Sequence, residues 1–196
     1  MTGRHAAEPA TVERVFRGDR VLVVTSEAFA DGCQRLAAAA ARLGTISAVI
    51  GISNGGLAPA SHIAHTLGAR AYTVGAKHNA TNGLYEQATG DVTCDLGPLI
   101  AQLQGDLLGG AVLLVDDIYG SGATMGTLIP QIGRHLAPGA TLHTAVLCRN
   151  VANRDQPGGP DLWLWDTDDW THFPWEDSLP AGTVTETLVV PSVARS

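Results

Sequence analysis

A chain of 196 residues is long enough for one substantial hydrophobic core, and a single domain spanning residues 1–196 is expected. Twelve Lys plus Arg against nineteen Asp plus Glu give a formal net charge of -7, which argues against an extended nucleic-acid-binding surface and for a small ligand. The opening stretch MTGRHAAEPATVERVF lacks the apolar core of a signal peptide, no apolar run is long enough to span a bilayer, and the three cysteines Cys33, Cys94 and Cys148 are widely spaced and odd in number, so a cytoplasmic protein with reduced thiols and no membrane partner is expected.

Strand-like and helix-like runs alternate along the chain. Val21 to Val24 reads as a short strand, and Glu27 to Leu43 as an alanine-rich helix with Phe29, Leu36, Ala40 and Leu43 near one face. A strand at Ala48 to Gly51 leads through a glycine turn into a helix from about Pro59 to Leu67, where Pro59 suits a first helical turn, and another strand covers Arg70 to Val74. Between Gly75 and Gly105 the periodicity weakens, and polar text from Lys77 through Asn79 to Tyr85 reads as a long loop. Val112 to Val115 is a strand, a helix opens near Ala123 and runs to about Leu136, and Thr141 to Leu147 is the next strand. Trp163 and Trp165 alternate with Leu162 and Leu164 as in a strand covered on both faces, which makes them core residues, and Thr183 to Val190 reads as an edge strand. The order predicts an α/β fold with a doubly wound, mainly parallel sheet.

The stretch from Val112 to Thr124, VLLVDDIYGSGAT, is the most informative. Its aliphatic run delivers Asp116 and Asp117 to the carboxyl end of a strand, where open α/β sheets bind ligands. Gly120 and Gly122 allow a tight turn with inward-facing amides, Ser121 and Thr124 add hydroxyls, and the helix beginning near Ala123 points its positive end at the same spot. Acids beside a phosphate cradle repel a bare phosphate, so the carboxylates suit sugar hydroxyls, a metal ion, or both, and the combination describes a sugar phosphate. A second glycine loop, Ser53-Asn54-Gly55-Gly56, follows the strand at Ala48.

The segment Asp116 to Thr124 resembles the phosphoribosyl-pyrophosphate loop of type I phosphoribosyltransferases. The resemblance implies that Asp116 and Asp117 hold the ribose hydroxyls and that Tyr119, Gly120, Ser121, Gly122, Ala123 and Thr124 hold the 5-phosphate. Ser53 to Gly56 resembles the family's pyrophosphate-binding loop, which often contains a non-proline cis peptide. Asp169 to Glu176 resembles the base-binding segment, or hood, of xanthine, guanine and hypoxanthine phosphoribosyltransferases, in which an aromatic side chain stacks on the purine; Trp170 and Thr171 fall at that place, with Asp168 and Asp169 suiting a pocket rim. In the family, the segment after Gly75 is a mobile lid over the reacting centre. Phosphoribosyl pyrophosphate, a heterocyclic base and Mg2+ are the implied partners, and a homo-oligomer, specifically a dimer, is expected.

Three departures bear on the substrate. Gly120 stands where these purine enzymes usually carry an acid facing N7 of the base. Asn54 replaces an Arg or Lys of the pyrophosphate loop, and Arg149 replaces a Lys that donates to the purine 6-oxygen. The reading is transfer of a 5-phosphoribosyl group to a ring nitrogen of a purine or purine-like heterocycle with release of pyrophosphate. Its alternatives are a specialised biosynthetic enzyme with a non-standard acceptor and a non-catalytic regulator that binds phosphoribosyl pyrophosphate or a nucleotide. A receiver-like phosphoacceptor leaves both glycine loops unexplained. His62 and His65, three apart on a helix, read as surface or packing residues without a third metal ligand.

Overall fold

The computed structural model describes residues 13–77, 92–155 and 157–196. In chain order its elements are β1 (Val21–Val23), α1 (Ser26–Ala40), β2 (Ile46–Ser53), α2 (Leu57–Leu67), β3 (Arg70–Lys77), β4 (Thr93–Asp95), α3 (Gly97–Leu103), β5 (Ala111–Tyr119), α4 (Ala123–Ile132), β6 (Thr141–Asn150), β7 (Leu162–Thr167), β8 (Trp170–His172), β9 (Thr185–Thr187) and β10 (Ala194–Arg195). The aliphatic runs of β2, β3, β5, β6 and β7 pair in parallel, and the short β4 and β10 close the two edges antiparallel, in the order β10-β7-β6-β5-β2-β3-β4. From the β2–β5 neighbours the chain winds outward both ways, to β3 on one side and to β6 and β7 on the other. The switch point between β2 and β5 is where such sheets open a ligand crevice.

Helices cover both faces. One core joins α1 and α2 to the sheet through Phe29, Leu36, Ile63, Leu113 and Leu147, and the other joins α3 and α4 through Leu99, Leu128, Ile50, Leu114 and Val146. Thr25 caps α1, its hydroxyl accepting from the Ala28 amide at 3.1 Å. Ala37 and Ala40 on that helix are fully buried, the small side chains permitting close packing. Leu36 and Ile63 are buried without remainder, each contributing about 1.5–3 kcal/mol relative to exposure.

The structure confirms the doubly wound α/β fold and adjusts several elements. β1 lies in a separate three-stranded parallel sheet, β8-β1-β9, where it joins the hood strand Trp170–His172 to Thr185–Thr187, the core of the expected edge strand. β5 runs on to Tyr119, because its pairing with β2 stops at Val115 while that with β6 continues to Tyr119↔Arg149. α4 stops at Ile132, and a single 3-10 turn over Gly133–His135 replaces the rest of the predicted helix. Between Gly75 and Gly105 the described residues include β4 and α3, a seven-residue helix too short for a periodic signal; Asn79 and Tyr85 of the expected lid lie outside the described residues. Among the described residues, no helix is long and apolar enough to cross a membrane.

Candidate active site

The end of β5 places two acids just beyond Val115, where its pairing with β2 stops. Asp116 is buried at 9 % exposure and Asp117 half-buried; the Asp117 amide donates to Asp116 Oδ1 at 3.0 Å and the Ile118 amide to Asp117 Oδ1 at 2.7 Å. Burial pushes both carboxyls above the ordinary range, Asp116 strongly so with the Asp117 charge adding to it, while the Ile118 amide and the Arg14 charge draw Asp117 back. An acid pair in this state favours neutralising company such as hydroxyl donors or a cation.

The loop after β2 packs directly on this pair. Gly56 is buried against β5, where an added methyl would meet the Val115 carbonyl at 2.4 Å, and the side chain that Gly55 lacks would run into Asp117. The Ser53–Asn54 peptide is cis, Ser53 is half-buried and Asn54 is exposed. α2 begins at Leu57 with Gly56 as its N-cap and no side-chain cap, and the Gly56 and Leu57 amides donate back to the Ile52 and Asn54 carbonyls at 2.8 and 3.3 Å.

After β5 the chain turns through Gly120-Ser121-Gly122 into α4. Gly122 has φ +83°, a left-handed conformation that favours glycine, and it too lacks a side-chain cap. The Ser121 hydroxyl accepts from the Ala123 amide at 3.4 Å, and Thr124 sits half-buried in the first helical turn. Amides at such a helix start bind phosphate through direct hydrogen bonds and the helix dipole. Tyr119 supports the turn rather than lining it: its ring lies under Gly122 and its hydroxyl donates to the Gly158 carbonyl at 3.1 Å. Buried Asn153 donates its side-chain amide to the Gly120 carbonyl, bracing the loop from the other side.

In the hood, Trp170 is half-buried, with its ring centroid 6.0 Å from that of Phe16. Thr171 points inward at 3 % exposure, beside the Cys148 thiol. Asp168 and Asp169 form no open rim; they anchor residues ahead of β1. Asp168 pairs with Arg17 at 2.7 Å and Arg20 at 3.3 Å, and buried Asp169 accepts from the Gly18 amide at 3.2 Å. Beyond β8, Trp175 stacks on Phe173 at 4.8 Å, and Glu176 binds His172 Nδ1 at 3.3 Å and accepts from the Phe173 amide at 2.8 Å. Burial raises the Glu176 carboxyl, and the Asp117 charge adds to that rise.

Arg149 does not join this group. Cys148 belongs to the core on the α1–α2 face, and the next residue turns to the other face, where the Arg149 guanidinium covers the Trp163 ring at 3.8 Å and bonds Asp166 at 2.8 Å. It lines a cleft of about 600 Å3 with Arg154, Pro157, Trp163 and Arg195, which contains none of the other expected site residues.

Sequence reasoning missed Arg14 and Phe16. The buried Asn150 side chain holds Val15 at both backbone groups, accepting from its amide at 2.9 Å and donating to its carbonyl at 3.0 Å. Arg14 and Phe16, on either side of that anchor, are thereby brought to Trp170. The Arg14 guanidinium lies 5.1 Å from the Phe16 ring centroid and 5.7 Å from that of Trp170. No local motif announces this, since the anchor and the held residue are 135 positions apart.

An acid pair at the switch point of a doubly wound sheet, with one glycine loop packed against it and another leading out of it, defines an α/β protein with a crevice at that point suited to a phosphorylated sugar. The model of the phosphoribosyl transferase domain matches residues 19–180, and the chain belongs to the phosphoribosyltransferase family, as an enzyme of its type I branch. Its fold is similar to that of a purine phosphoribosyltransferase from Pyrococcus horikoshii (23% identity, TM-score 0.62, covering 83% of this chain and 99% of that one). Similar likenesses hold for a hypothetical protein from Neisseria gonorrhoeae with bound ppGpp (22%, 0.61, 81% and 90%) and the xanthine-guanine-hypoxanthine phosphoribosyltransferase of Helicobacter pylori (20%, 0.62, 79% and 94%). No curated protein matches the sequence.

Proposed function

We propose that the enzyme transfers a 5-phosphoribosyl group from phosphoribosyl pyrophosphate to a ring nitrogen of a purine or purine-like heterocycle. The observation that carries this reading is the packing of Gly55 and Gly56 on the Asp116–Asp117 strand end, with the uncapped start of α4 immediately after it. Asp116 and Asp117 accept from the ribose hydroxyls, the amides of Ser121 to Thr124 hold the 5-phosphate, and the Ser53–Gly56 loop faces the diphosphate. The C1′–oxygen bond breaks with its electron pair leaving on pyrophosphate, and the acceptor nitrogen bonds C1′ from the opposite face. Charge builds at the sugar as in other glycosyl transfers, so alignment and electrostatics are the protein's main work.

Asp116 and Asp117, whose carboxyls are raised by burial, would help to hold a magnesium ion. When bound, the ion neutralises charge on the diphosphate leaving group. Trp170 and Phe16 supply the aromatic wall for the acceptor.

The test is release of pyrophosphate from phosphoribosyl pyrophosphate and magnesium over a panel of bases. Release that depends on a base supports the reading. Tight donor binding with no release for any acceptor favours the effector-binding alternative.

A further inference from the structure

We propose that His172, oriented by Glu176, is the general base of the reaction and takes the N–H proton of the acceptor as its ring nitrogen bonds C1′. This rests on the phosphoribosyl-transfer reading and gives a destination to a proton that the reading leaves unassigned.

The chemistry sets the demand. A neutral heterocycle that bonds C1′ through a ring nitrogen must give up its ring N–H proton, and a positioned side chain speeds that loss. Gly120 stands where the related purine enzymes usually carry an acid facing the base, and it has no side chain. Asp116 and Asp117 are engaged with the ribose, so the base comes from another element.

His172 meets the demand by position. It lies two residues beyond Trp170 on β8, and alternation along a strand puts both side chains on one face, roughly 7 Å apart, while Thr171 between them turns to the Cys148 thiol. The face that offers the Trp170 ring to the acceptor therefore offers the imidazole beside it. That face adjoins the sugar-phosphate loop through Arg14: a methyl placed on Gly120 would lie 2.8 Å from Arg14 Cδ, and the Arg14 guanidinium lies 5.7 Å from the Trp170 ring centroid.

The geometry holds one ring nitrogen and leaves the other. Glu176 Oε2 lies 3.3 Å from His172 Nδ1, and the same oxygen accepts from the Phe173 amide at 2.8 Å, so a carboxylate fixed by the backbone sets the ring. His172 Nε2 has no hydrogen-bond partner among the described residues and is not sealed from solvent. A carboxylate on one nitrogen and a free second nitrogen is the orienter-and-base arrangement of nucleophile-activating sites.

The surrounding elements bring few competing groups. β1 has no titratable residue, and beyond it β9 brings Glu186, tied to Arg20 at 2.7 Å. β5 brings Asp117, whose charge acts on Glu176, and β6 the buried Cys148 thiol. Arg14 acts on Asp117, and His62 of α2 packs edge-on to Phe29. In the step itself the acceptor nitrogen's electron pair forms the bond to C1′, the C1′–oxygen pair leaves on pyrophosphate, and the acceptor's proton passes to Nε2. The Glu176 carboxylate stabilises the imidazolium until solvent takes the proton.

The experiment follows pyrophosphate release from phosphoribosyl pyrophosphate and magnesium between about pH 5 and 9, with hypoxanthine, adenine and imidazole-4-carboxamide as acceptors and with water alone, whose attack on the donor uses the same base. In the wild type kcat/KM should climb with pH along a limb set by one group. His172→Gln should remove that limb and lower the plateau by about a hundredfold or more, with donor affinity by calorimetry changed by less than about twofold. Glu176→Gln takes away the charge that favours the imidazolium, so its limb should move to lower pH by about half a unit or more. A limb that survives in His172→Gln, or a loss that lies wholly in donor affinity, overturns the inference; a limb unmoved in Glu176→Gln overturns the orienting role. Release with water but with none of the heterocycles counts against the transfer reading while the water limb still tests His172, and no release at all overturns both.

Discussion

Gly55 and Asp117 are in such close approach that a methyl on the glycine would lie 1.9 Å from Asp117 Oδ2. Two loops far apart in sequence, one proposed for the diphosphate and one for the ribose, therefore share a single surface. The absence of a side chain at position 55 is a condition for the acid to stand where it does. Gly55→Ala should displace either the loop or the carboxylate. Donor affinity should fall by about tenfold or more, and overpacking of about 1–3 kcal/mol should lower the melting temperature by roughly 2–4 °C per kcal/mol. Calorimetry with phosphoribosyl pyrophosphate and magnesium, beside a thermal melt, checks both; undiminished donor affinity would remove the proposed coupling of the two loops.

The acid pair opposes folding at neutral pH in the absence of ligand. Asp116 has its carboxyl raised by burial, so the folded protein binds a proton that the unfolded chain has already released once pH exceeds the ordinary value of about 3.9. With more protons bound in the folded state, stability falls as pH climbs from that value through the raised one. Asp116→Asn removes the ionisation and should raise the melting temperature at neutral pH, with the gain fading as pH drops toward the ordinary carboxylate range. The same substitution should abolish productive donor binding, as should Asp117→Asn. A melting temperature that responds identically to pH in wild type and Asp116→Asn contradicts the assignment.

Trp170→Ala should chiefly impair acceptor use. Loss of a stacking ring costs about 1–3 kcal/mol per base, or roughly 5- to 150-fold in kcat/KM for the acceptor, with donor affinity little changed. Phe16→Ala should show a smaller defect of the same kind, since its ring meets Trp170 at a tilt of 43°. Steady-state kinetics with each substrate varied in turn separates the cases. A Trp170→Ala protein that unfolds with no selective kinetic defect places the tryptophan in the core.

What was legible in the sequence is what is encoded locally. The strand-acid-glycine-helix order around Asp116 and the glycine loop at Ser53 each specify their own backbone, so their place at the switch point follows from the doubly wound pattern. Trp163 and Trp165 are buried at 6 % and 5 % exposure, as their alternation with leucine implies. The misses depend on partners far along the chain. β1 reads like any aliphatic strand, and only its pairing with Trp170–His172 and Thr185–Thr187 assigns it to the small sheet. Arg149 lies at the position the resemblance indicates, yet side chains alternate along β6, and Trp163 and Asp166 draw its guanidinium to the other face. Arg14 carries no motif; it reaches the site because Asn150 grips its neighbour.

Gly120 and Arg14 furnish a further test that needs no substrate. If the arginine stem fills the space beside Gly120, then Gly120→Ala must push it aside, at a cost of about 1 kcal/mol, the low end for overpacking because a half-buried side chain can rotate away. In an Arg14→Ala background, Cγ, Cδ and Nε are gone and the same Gly120→Ala change should cost little. The double-mutant cycle of melting free energies should therefore show a coupling of about 0.5 kcal/mol or more, above the additivity expected for independent sites. Effects that simply add would show that the stem does not occupy that space. Gly120→Asp makes a sterner version of the same demand: restoring an acid at this position requires Arg14 to leave, so any turnover of neutral 6-oxopurines gained by Gly120→Asp should be larger when Arg14 is also shortened.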